Sequence, residues 1–538
     1  MLVTKPAEEF DAVVIGAGFS GIYMLHQLRK LGLRARLFEA GEGVGGAWYW
    51  NRYPGARCDS ESYFYCFFFS DEILQEWTWS ERFPAQPEIE RYLNFVTDRL
   101  DLRKDMTFNA RVTAAAYDED TKRWTVETTA GDKVTARYVV TAIGGLTSTA
   151  TNLPNIPGIE DFKGEWYHTG HWPKEGVDFS GKRVGVIGTG STGIQAVPEI
   201  AKTAKHLTVF QRTPAYIMPA KNHPLTEEYN AAIKANYAEI KAKVRTHWGG
   251  QPYDAPPYSF EEMDLAEARK VQEEFWDAGG LKVIQAFKEG TRVPAVREFM
   301  EEFFRDKVRS IVKDPVKAEI LEPKGYPMGA KRIALDTNYY ETFNLPHVDV
   351  VNVKKTPITN FTETGVMVGD KEYPLDILVL ATGYDAVTGP FRKMDIRGRG
   401  GIKLAERLED GPRAYLGMSF AGFPNLLAIS GPCNPALSTN VPASIEHDVE
   451  WITDLIQYCE KEGFTAVEPT QEAEDEWTEE TQSKAADSVF TEADSWQFGS
   501  NVPGKPRRFL IWLGGLHMFR ERCEEVTKAG YKGFKFTR

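Results

Sequence analysis

Two glycine-rich segments have the residue types and spacing of loops that bind a dinucleotide. The first, Gly16, Gly18 and Gly21, stands between a β-branched run at 11–15 and a segment of helical periodicity. In such a loop the first glycine makes a tight turn, the second lets the backbone approach a pyrophosphate, and the third lets helix and strand pack closely. Glu39 ends the next predicted strand, 23 positions after Gly16, where a carboxylate can hydrogen-bond a ribose 2′-hydroxyl.

The second segment, GTGSTG at 188–193, repeats this arrangement but differs at the end of the following strand. The position equivalent to Glu39 holds Gln211, and Arg212 follows it. A carboxylate at this place would repel a 2′-phosphate, whereas a guanidinium can bind one through paired hydrogen bonds. We therefore predict that the first site binds FAD and that the second binds NADPH.

Two other small-residue segments are weaker signals. Gly41, Gly43 and Gly46 have the same spacing, but they follow Glu39 in a loop and open no obvious helix. We do not interpret them as a nucleotide loop, because the motif is diagnostic only between a strand and a helix. The turn ATG at 381–383 ends an apolar run and is suited to close approach of the backbone to a cofactor.

The elements that would position these groups alternate between strand and helix patterns. They predict an α/β fold with two Rossmann-like dinucleotide-binding domains, for FAD and NADP, and a helical insertion in the NADP domain. Residues 87–101 predict an amphipathic helix, residues 107–142 a β-meander, and the aromatic run Tyr63 to Phe69 a buried strand. The predicted segments are 1–148 (FAD domain, first part), 149–222 (NADP domain, first part), 223–328 (helical insertion), 329–379 (NADP domain, return) and 380–538 (FAD domain, second part).

Composition limits the other classes of function. The 538 residues carry a formal net charge of −13, which disfavours a non-specific nucleic-acid binder. Five cysteines without a CxxC pair indicate a reduced, cytoplasmic setting. The first ten residues lack the apolar core of a signal peptide, and no window approaches the roughly 20 apolar residues of a membrane helix. No metal site is expected.

The chemistry of a bound flavin stays open at the level of these residues. A disulfide reductase needs a close redox pair, whereas Cys58 and Cys66 are separated by aromatic residues. A simple dehydrogenase or electron-transfer protein, a non-catalytic NADPH-binding flavoprotein and an oxygenase all remain compatible with the two glycine loops.

Longer motifs resemble one family. FKGEWYHTGHWP at 162–173 fits the FxGxxxHxxxWP fingerprint of type I Baeyer–Villiger monooxygenases, and GGAWYWNRYPGARCD at 45–59 resembles their second signature. The resemblance continues in GAKR at 329–332, ATGYD at 381–385 and SWQFGSNVPGKPR at 495–507. It is closest to the phenylacetone and steroid monooxygenase branch.

The resemblance implies a reaction. NADPH would reduce FAD, O2 would add at the flavin C4a carbon, and the resulting peroxyflavin would convert a ketone to an ester or lactone, with sulfoxidation as a further activity. The alternatives are a related flavin monooxygenase that oxygenates amines or sulfides, and a non-catalytic NADPH-binding flavoprotein. The expected partners are a small ketone and O2, with no nucleic acid and no membrane. The sequence is compatible with a monomer but does not determine the oligomeric state.

The resemblance also implies roles for individual residues. Arg332 would be the catalytic cation, Asp59 would orient it, and Lys331 and Thr213 would join Arg212 at the 2′-phosphate. The residues expected to bind FAD are Gly16, Gly18, Ser20, Gly21, Glu39, Trp48, Asp59, Tyr65 and Val112. Those expected to bind NADP are Arg57, Gly188, Thr189, Gly190, Ser191, Thr192, Gly193, Gln195, Arg212, Thr213, Lys331, Arg332 and Trp496.

Three features of the resemblance concern residues outside these sets. His168 lies in the fingerprint and is expected to have a structural or conformational role instead of acting as a base. Gly145 replaces a larger polar residue of phenylacetone monooxygenase near the pocket, and we expect it to leave space there. The loop at 431–445 has the longer length of that branch and is expected to form a wall of the substrate pocket.

Overall fold

The computed structural model describes residues 8–538. The expectations that concern residues 1–7, namely the start of the predicted FAD domain and the lack of a signal-peptide core, lie outside the described residues. The strands are β1 Glu8–Ile15, β2 Ala35–Phe38, β3 Met106–Thr107, β4 Val112–Asp118, β5 Arg123–Thr128, β6 Lys133–Thr141, β7 Glu165–His168, β8 Arg183–Ile187, β9 His206–Gln211, β10 Ile217–Pro219, β11 Ala334–Asp336, β12 Val348–Asn352, β13 Ile358–Phe361, β14 Gly365–Val368, β15 Lys371–Pro374, β16 Ile377–Leu380, β17 Asp395–Arg397, β18 Leu426–Ala428, β19 Ala466–Pro469 and β20 Phe534–Thr537. The helices are α1 Phe19–Lys30, α2 Ala47–Trp50, α3 Asp71–Glu76, α4 Gln86–Arg99, α5 Ser191–Ala201, α6 Glu227–Ala235, α7 Tyr237–Thr246, α8 Leu265–Ala278, α9 Pro294–Ile311, α10 Pro315–Leu321, α11 Tyr339–Thr342, α12 Gly389–Arg392, α13 Leu404–Arg407, α14 Val441–Glu462, α15 Gln471–Ala486 and α16 Gly515–Lys528.

The first large sheet takes strands from both halves of the chain. Its order is β17-β4-β5-β6-β1-β2-β3, and β18 pairs with β6 in addition. The first half of β6 pairs antiparallel with β5 of the predicted meander, whereas its second half pairs parallel with β18. The carboxyl end of β1, where the first glycine loop begins, therefore lies at the centre of this sheet.

The second large sheet is entirely parallel, with the order β12-β9-β8-β16-β7. Strands β8 and β16 are almost wholly buried, as expected for central strands covered on both faces. The helix α5 connects β8 to β9, so the second glycine loop opens a βαβ unit like the one formed by β1, α1 and β2. This is the predicted α/β class with two Rossmann-like units.

Helices fill the segment between β10 and β11. Within 223–328 the structure contains α6 to α10 and short 3-10 turns. This segment has its own apolar core, to which Trp276, Met300, Phe303 and Phe304 contribute. The limits of the predicted domains stay a prediction. None of the helices within residues 8–538 is both long and apolar enough to span a bilayer.

The strand predicted for Tyr63 to Phe69 is wrong. Ser62–Phe64 is a 3-10 turn, and irregular backbone follows it. The backbone N–H of Phe69 donates to Glu446 Oε1 at 2.9 Å, and that of Phe67 donates to Tyr92 Oη at 2.9 Å. The segment is buried as expected, but distant side chains satisfy its backbone in place of a neighbouring strand.

A second correction concerns the glycines at 41–46. Gly46 is the N-cap of the one-turn helix α2, so a short helix does follow the motif. A Cβ atom on Gly46 would lie 2.8 Å from the Cα atom of Gly18. This segment therefore packs against the first glycine loop, which explains why glycine is needed there.

Candidate active site

The first glycine loop has the backbone geometry that its sequence predicts. Gly16 has a φ of +106°, and a Cβ atom on it would lie 2.6 Å from the carbonyl oxygen of Ala142. A Cβ atom on Gly21 would overlap the carbonyl oxygen of Gly16. A larger residue at 16 would push the loop away from the end of β6, and one at 21 would push α1 away from the loop.

The two helices that follow the glycine loops leave their N-termini open to an anion. Gly18 caps α1 and Gly190 caps α5, and neither cap supplies a side-chain hydrogen bond. The first turns of both helices also lack acidic residues. Free backbone N–H groups and the helix dipole favour a phosphate at such an end, so the loops fit the pyrophosphates of FAD and NADP.

Glu39 is held rigidly at the end of β2. Its side chain is only 4% exposed, and its carboxylate accepts hydrogen bonds from the backbone N–H groups of Ala17 and Gly41, each at 2.7 Å. Burial raises the pKa of this carboxyl above its usual value. The Glu39 carboxylate, which is predicted to bind the ribose, is thus held beside the first glycine loop by backbone N–H groups of Ala17 and Gly41.

The second glycine loop packs against the ATG turn. Gly188 has a φ of +114°, and a Cβ atom there would collide with the carbonyl oxygen of Ala381. Thr189 Oγ1 donates to the carbonyl oxygen of Thr213 at 3.0 Å, which joins the loop to the segment after β9. The structure therefore brings the predicted turn and the predicted 2′-phosphate segment together around this loop.

The cations predicted for the 2′-phosphate are neighbours. Arg212 is exposed immediately after β9, whereas the amide Nε2 of Gln211 is turned inward and donates to the carbonyl oxygen of Ile320 at 2.6 Å. Burial, and then the positive charge of Arg212, lower the pKa of Lys331. Two cations at this short range repel each other unless an anion is bound between them.

Arg332 and Asp59 form an ion pair between two distant segments. Arg332 Nε donates to Asp59 Oδ2 at 3.0 Å. The negative charge of Asp59 raises the pKa of Arg332 further above its usual value. The Arg332 side chain is 47% exposed and that of Asp59 is 21% exposed, so the guanidinium keeps a free face while its other side is held.

Two buried, weakly polar residues lie near this ion pair. Cys58 is 5% exposed and Tyr65 is 8% exposed. Burial raises the pKa of the Cys58 thiol and of the Tyr65 phenol, so both are neutral near pH 7. Trp48 Nε1 donates to Tyr65 Oη at 3.2 Å, which fixes the phenol ring of a predicted FAD-binding residue.

Arg57 and Gln195 connect the two nucleotide regions. Gln195 Nε2 donates to the carbonyl oxygen of Arg57 at 2.9 Å, and its Oε1 accepts from Tyr53 Oη at 2.7 Å. The Arg57 guanidinium donates to Glu81 Oε2 at 2.7 Å. Glu81 was not identified from the sequence, because nothing in its local pattern distinguishes it from a surface acid.

The remaining predicted residues occupy the same regions. Ser191 and Thr192 lie in the first turn of α5. Ser20 is buried in the first turn of α1, and Val112 is buried at the start of β4. Trp496 begins a 3-10 turn and packs against an apolar cluster. The cofactor contacts assigned to individual residues stay predictions.

His168 has the environment of a structural residue. It is 4% exposed, and its Nδ1 accepts from the backbone N–H of Gly170 at 3.0 Å. Burial lowers its pKa to about 4, so the ring is neutral at pH 7. It ends β7 beside Leu380 of β16, next to the ATG turn. This position agrees with a structural role between β7 and the turn and not with a role in proton transfer.

The space expected beside Gly145 is filled. A Cβ atom on Gly145 would lie 2.6 Å from Leu437 Cδ1. The expectation of free volume is therefore wrong, because a leucine from the 431–445 loop packs against the bare backbone. The sequence identified both segments, but only the fold shows that they are in contact.

Comparison with known proteins gives consistent matches over the whole chain. A family model described as flavin-binding monooxygenase-like matches residues 11–231. A Baeyer–Villiger monooxygenase from Pseudooceanicola batsensis is 44% identical over 97% of this chain and 95% of its own length. A phenazine N-monooxygenase from Lysobacter antibioticus is 42% identical over 99% of this chain and 98% of its own. The structure of an oxidized steroid monooxygenase bound to NADP is 46% identical, with a TM-score of 0.92 over 98% of this chain and 99% of that one.

Proposed function

Since this chain belongs to the flavin-dependent Baeyer–Villiger monooxygenases, we propose that Arg332 and Asp59 are its catalytic ion pair. The enzyme uses FAD, NADPH and O2 to convert ketones to esters or lactones. The 3.0 Å contact between Arg332 Nε and Asp59 Oδ2 is the observation that carries the proposal.

The protein side chains supply charge and position, while the cofactors supply the redox chemistry. When bound, the flavin activates dioxygen with electrons from NADPH. Arg332 remains charged at every relevant pH, so it stabilises negative charge on an oxygen atom near its free face. A preorganised cation of this kind contributes on the order of a hundredfold or more to the rate of the step that it serves.

Asp59 acts through Arg332. A free arginine side chain samples many rotamers, and an ion pair with a partly buried carboxylate restricts them. The carboxylate also prevents the guanidinium from turning toward the buried side, where Cys58 and Tyr65 offer neutral groups. The free face of the guanidinium is thereby kept toward the reacting oxygen.

NADPH is the proposed coenzyme form at the second glycine loop. Arg212 is exposed at the end of β9, and its charge reaches Lys331. A 2′-phosphate carries nearly two negative charges and relieves the repulsion between the two cations, whereas a 2′-hydroxyl does not. A carboxylate at position 211 would repel the 2′-phosphate. This explains why the uncharged Gln211 occupies the position that Glu39 has in the first site.

The proposed substrates are cyclic and aryl-aliphatic ketones. Leu437 packs on the backbone of Gly145, and we assign its side chain to one wall of the ketone site. A wall formed by a loop leucine is apolar and adaptable, which suits a hydrophobic ketone better than a charged substrate. Fused-ring ketones would need this leucine to move.

Oxygenation of a nitrogen or sulfur atom is the second candidate activity. The 42% identical phenazine N-monooxygenase is the specific observation that favours it. A nitrogen or sulfur substrate acts as the nucleophile, whereas a ketone acts as the electrophile, and heteroatom oxygenation needs no migration of carbon. It can therefore occur at the same site as a side reaction.

We also propose that the enzyme works in the cytoplasm as a single chain. All five cysteines are buried and unpaired, as expected in a reducing compartment. Both nucleotide loops and the Arg332–Asp59 pair come from one chain, so no second copy is needed to complete the site.

Product analysis tests the proposal. The holoenzyme is incubated with NADPH, ¹⁸O₂ and a panel of cyclic, aryl-aliphatic and fused-ring ketones, together with an aryl sulfide and an aromatic amine. Labelled ester or lactone from ketones supports the proposed function. Labelled N-oxide or S-oxide without ester supports the second candidate, and NADPH consumption without any labelled product argues against both.

A further inference from the structure

A buried carboxylate below the 430–438 loop has no part in the chemistry described so far. Asp448 lies in α14 and is 0% exposed, and Asn434, above it in the loop, is 1% exposed. Placing a carboxylate in the protein interior is costly unless hydrogen bonds compensate for the lost water. The partners of Asp448 therefore indicate what this carboxylate does.

Every hydrogen bond that the structure gives to the Asp448 carboxylate comes from the loop. Its Oδ2 accepts from the backbone N–H of Ser430 at 2.9 Å and from Asn434 Nδ2 at 3.0 Å, and its Oδ1 also accepts from Asn434 Nδ2 at 3.2 Å. Asn434 Oδ1 in turn accepts from the backbone N–H of Ala436 at 3.0 Å. The carboxylate thus holds the loop directly at Ser430 and Asn434 and, through Asn434, at Ala436.

The loop needs such a support because its backbone is strained. Ser430 has a φ of +58° and Cys433 a φ of +64°, a region that residues other than glycine rarely adopt. Ser430 itself donates to Asp448, and Cys433 directly precedes Asn434, which also donates to Asp448. The backbone N–H of Cys433 donates to the carbonyl oxygen of Leu510 at 2.9 Å, whereas Ser430 and Asn434, on either side of it, are held by Asp448. Loss of the bonds to Asp448 would remove the support at these two residues and let the loop shift.

The course of the loop determines where Leu437 lies. Leu437 follows Ala436, the last residue fixed by the network, and its Cδ1 packs over Gly145. We propose that Asp448 is a positioning residue that sets the shape of the ketone site by holding Leu437 against Gly145. This inference rests on the proposed function, which assigns Leu437 to the wall of that site.

Asp448→Asn is the first test. The amide oxygen could replace Oδ2 and still accept from Ser430, but the amide nitrogen would then replace Oδ1 and face the Nδ2 donor of Asn434. Two donors would oppose each other there, so the contact between Asn434 and α14 would be weakened. We expect the KM for ketone to rise about tenfold and the ratio of isomeric esters from an unsymmetrical ketone to change. The rate of flavin reduction by NADPH should stay within about twofold of wild type, since neither nucleotide loop is touched. An unchanged KM and ester ratio, or an equal loss in both half-reactions, would overturn the inference.

The exchange variant Asn434→Asp with Asp448→Asn is the matched rescue. The amide on α14 could accept from the backbone N–H of Ser430 and donate to the carboxylate now in the loop, which still accepts from the backbone N–H of Ala436. We expect wild-type KM and ester ratio from this variant. If Asp448→Asn alone does not fold, the exchange variant alone tests the proposal. An exchange variant that misfolds, or whose KM or ester ratio differs from wild type, contradicts the proposal. Asp454→Asn, an exposed position on the same helix, is the control and should behave as wild type.

A double-mutant cycle tests whether the effect passes through Leu437. In a Leu437→Ala background, Asp448→Asn should change the ketone KM by less than about twofold, because the group being positioned is gone. An effect as large as in the wild-type background would mean that Asp448 does not act through Leu437, and it would overturn the inference.

A spectroscopic readout is independent of substrate. Trp477 Nε1 donates to the carbonyl oxygen of Cys433 at 3.2 Å. The backbone N–H of Trp512 donates to the carbonyl oxygen of Asn434, also at 3.2 Å. The two indoles are stacked, with ring centroids 4.6 Å apart. Near-ultraviolet circular dichroism of the ketone-free holoenzyme should therefore change in Asp448→Asn and recover in the exchange variant. If wild type converts no ketone, the proposed function fails while this measurement still tests the loop, and an unchanged spectrum contradicts the inference.

Discussion

Arg332 and Asp59 are 273 positions apart in the chain, yet Arg332 Nε lies 3.0 Å from Asp59 Oδ2. Asp59 ends the loop after α2, and Arg332 precedes β11. The pair therefore joins the region of the first glycine loop to the return from the helical insertion. Any relative movement of these two regions moves the guanidinium, so the position of its charge depends on how the two regions are arranged.

Arg332→Ala should abolish ester formation without abolishing flavin reduction. Hydride transfer requires only that both cofactors are bound, whereas oxygenation requires a cation beside a developing anion. The expected loss is on the order of a hundredfold or more in ester yield. Stopped-flow reduction by NADPH without oxygen, followed by product yield after adding O2 and ketone, separates the two steps. Arg332→Lys should not restore activity, because an ammonium lacks the planar fork. Near wild-type ester yield from the alanine variant would contradict the assignment.

Asp59→Asn should weaken ester formation less than Arg332→Ala does. The amide oxygen can still accept from the guanidinium but no longer fixes it by charge, so we expect about a tenfold loss. Consumption of NADPH should continue and should release more hydrogen peroxide per ester formed. Asp161→Asn, which changes an exposed acid away from the pair, serves as the control. A variant with full ester yield would show that Arg332 needs no partner.

Arg212→Leu should raise the KM for NADPH about tenfold or more and leave that for NADH almost unchanged. The reason is that only NADPH carries the 2′-phosphate. Lys205→Leu removes an exposed charge just before β9 and should affect neither coenzyme. The measurement is steady-state oxidation of each coenzyme with a saturating ketone. Equal losses with NADPH and NADH would remove the argument for phosphate recognition.

Gly145→Ala should change product selectivity by moving Leu437. The added methyl group would lie 2.6 Å from Leu437 Cδ1, and the flexible end of a leucine can yield at small energetic cost. We expect an altered ester ratio with little change in the free energy of unfolding. The double variant with Leu437→Ala has room for the methyl group and should accept fused-ring ketones. An unchanged ratio in Gly145→Ala would show that this contact lies outside the ketone site.

Glu446→Gln should stabilise the protein at alkaline pH. Burial raises the pKa of Glu446 to about 7, so between about pH 4.5 and 7 the folded state holds a proton that the unfolded state releases. Stability from this group is present at low pH and is lost as pH rises through 7. The glutamine cannot ionise, and its Oε1 can keep both hydrogen bonds from Phe68 and Phe69. Its advantage should be about 1–3 kcal/mol at pH 8 and much smaller at pH 5.

Urea unfolding at pH 5, 6, 7 and 8 measures this difference. The control is Glu462→Gln, an exposed acid at the end of the same helix, which should show no such trend. A Glu446→Gln variant that is less stable than wild type at every pH would mean that the charge itself is needed.

Features that depend on short-range patterns could be predicted from the amino-acid sequence alone. The two glycine loops were predicted because a strand, a tight turn and a helix are consecutive in the chain, and Gly16 and Gly188 both have the positive φ that such turns need. The contrast between Glu39 and Arg212 could also be identified, since each follows its strand directly. The roles of Arg332 and Asp59 came from the resemblance to a family and not from any local pattern.

Contacts between groups that are distant in the chain became visible only in the folded structure. The run from Tyr63 to Phe69 is buried as its composition predicts, but Glu446 and Tyr92 satisfy its backbone and no strand forms. Gly145 suggested free space until the fold brought Leu437 against it, and nothing in the sequence connects Asp448 with the loop above it. Periodicity and turn chemistry report local backbone preference and burial. The pairing of buried polar groups and the filling of space depend instead on long-range packing, which no short segment encodes.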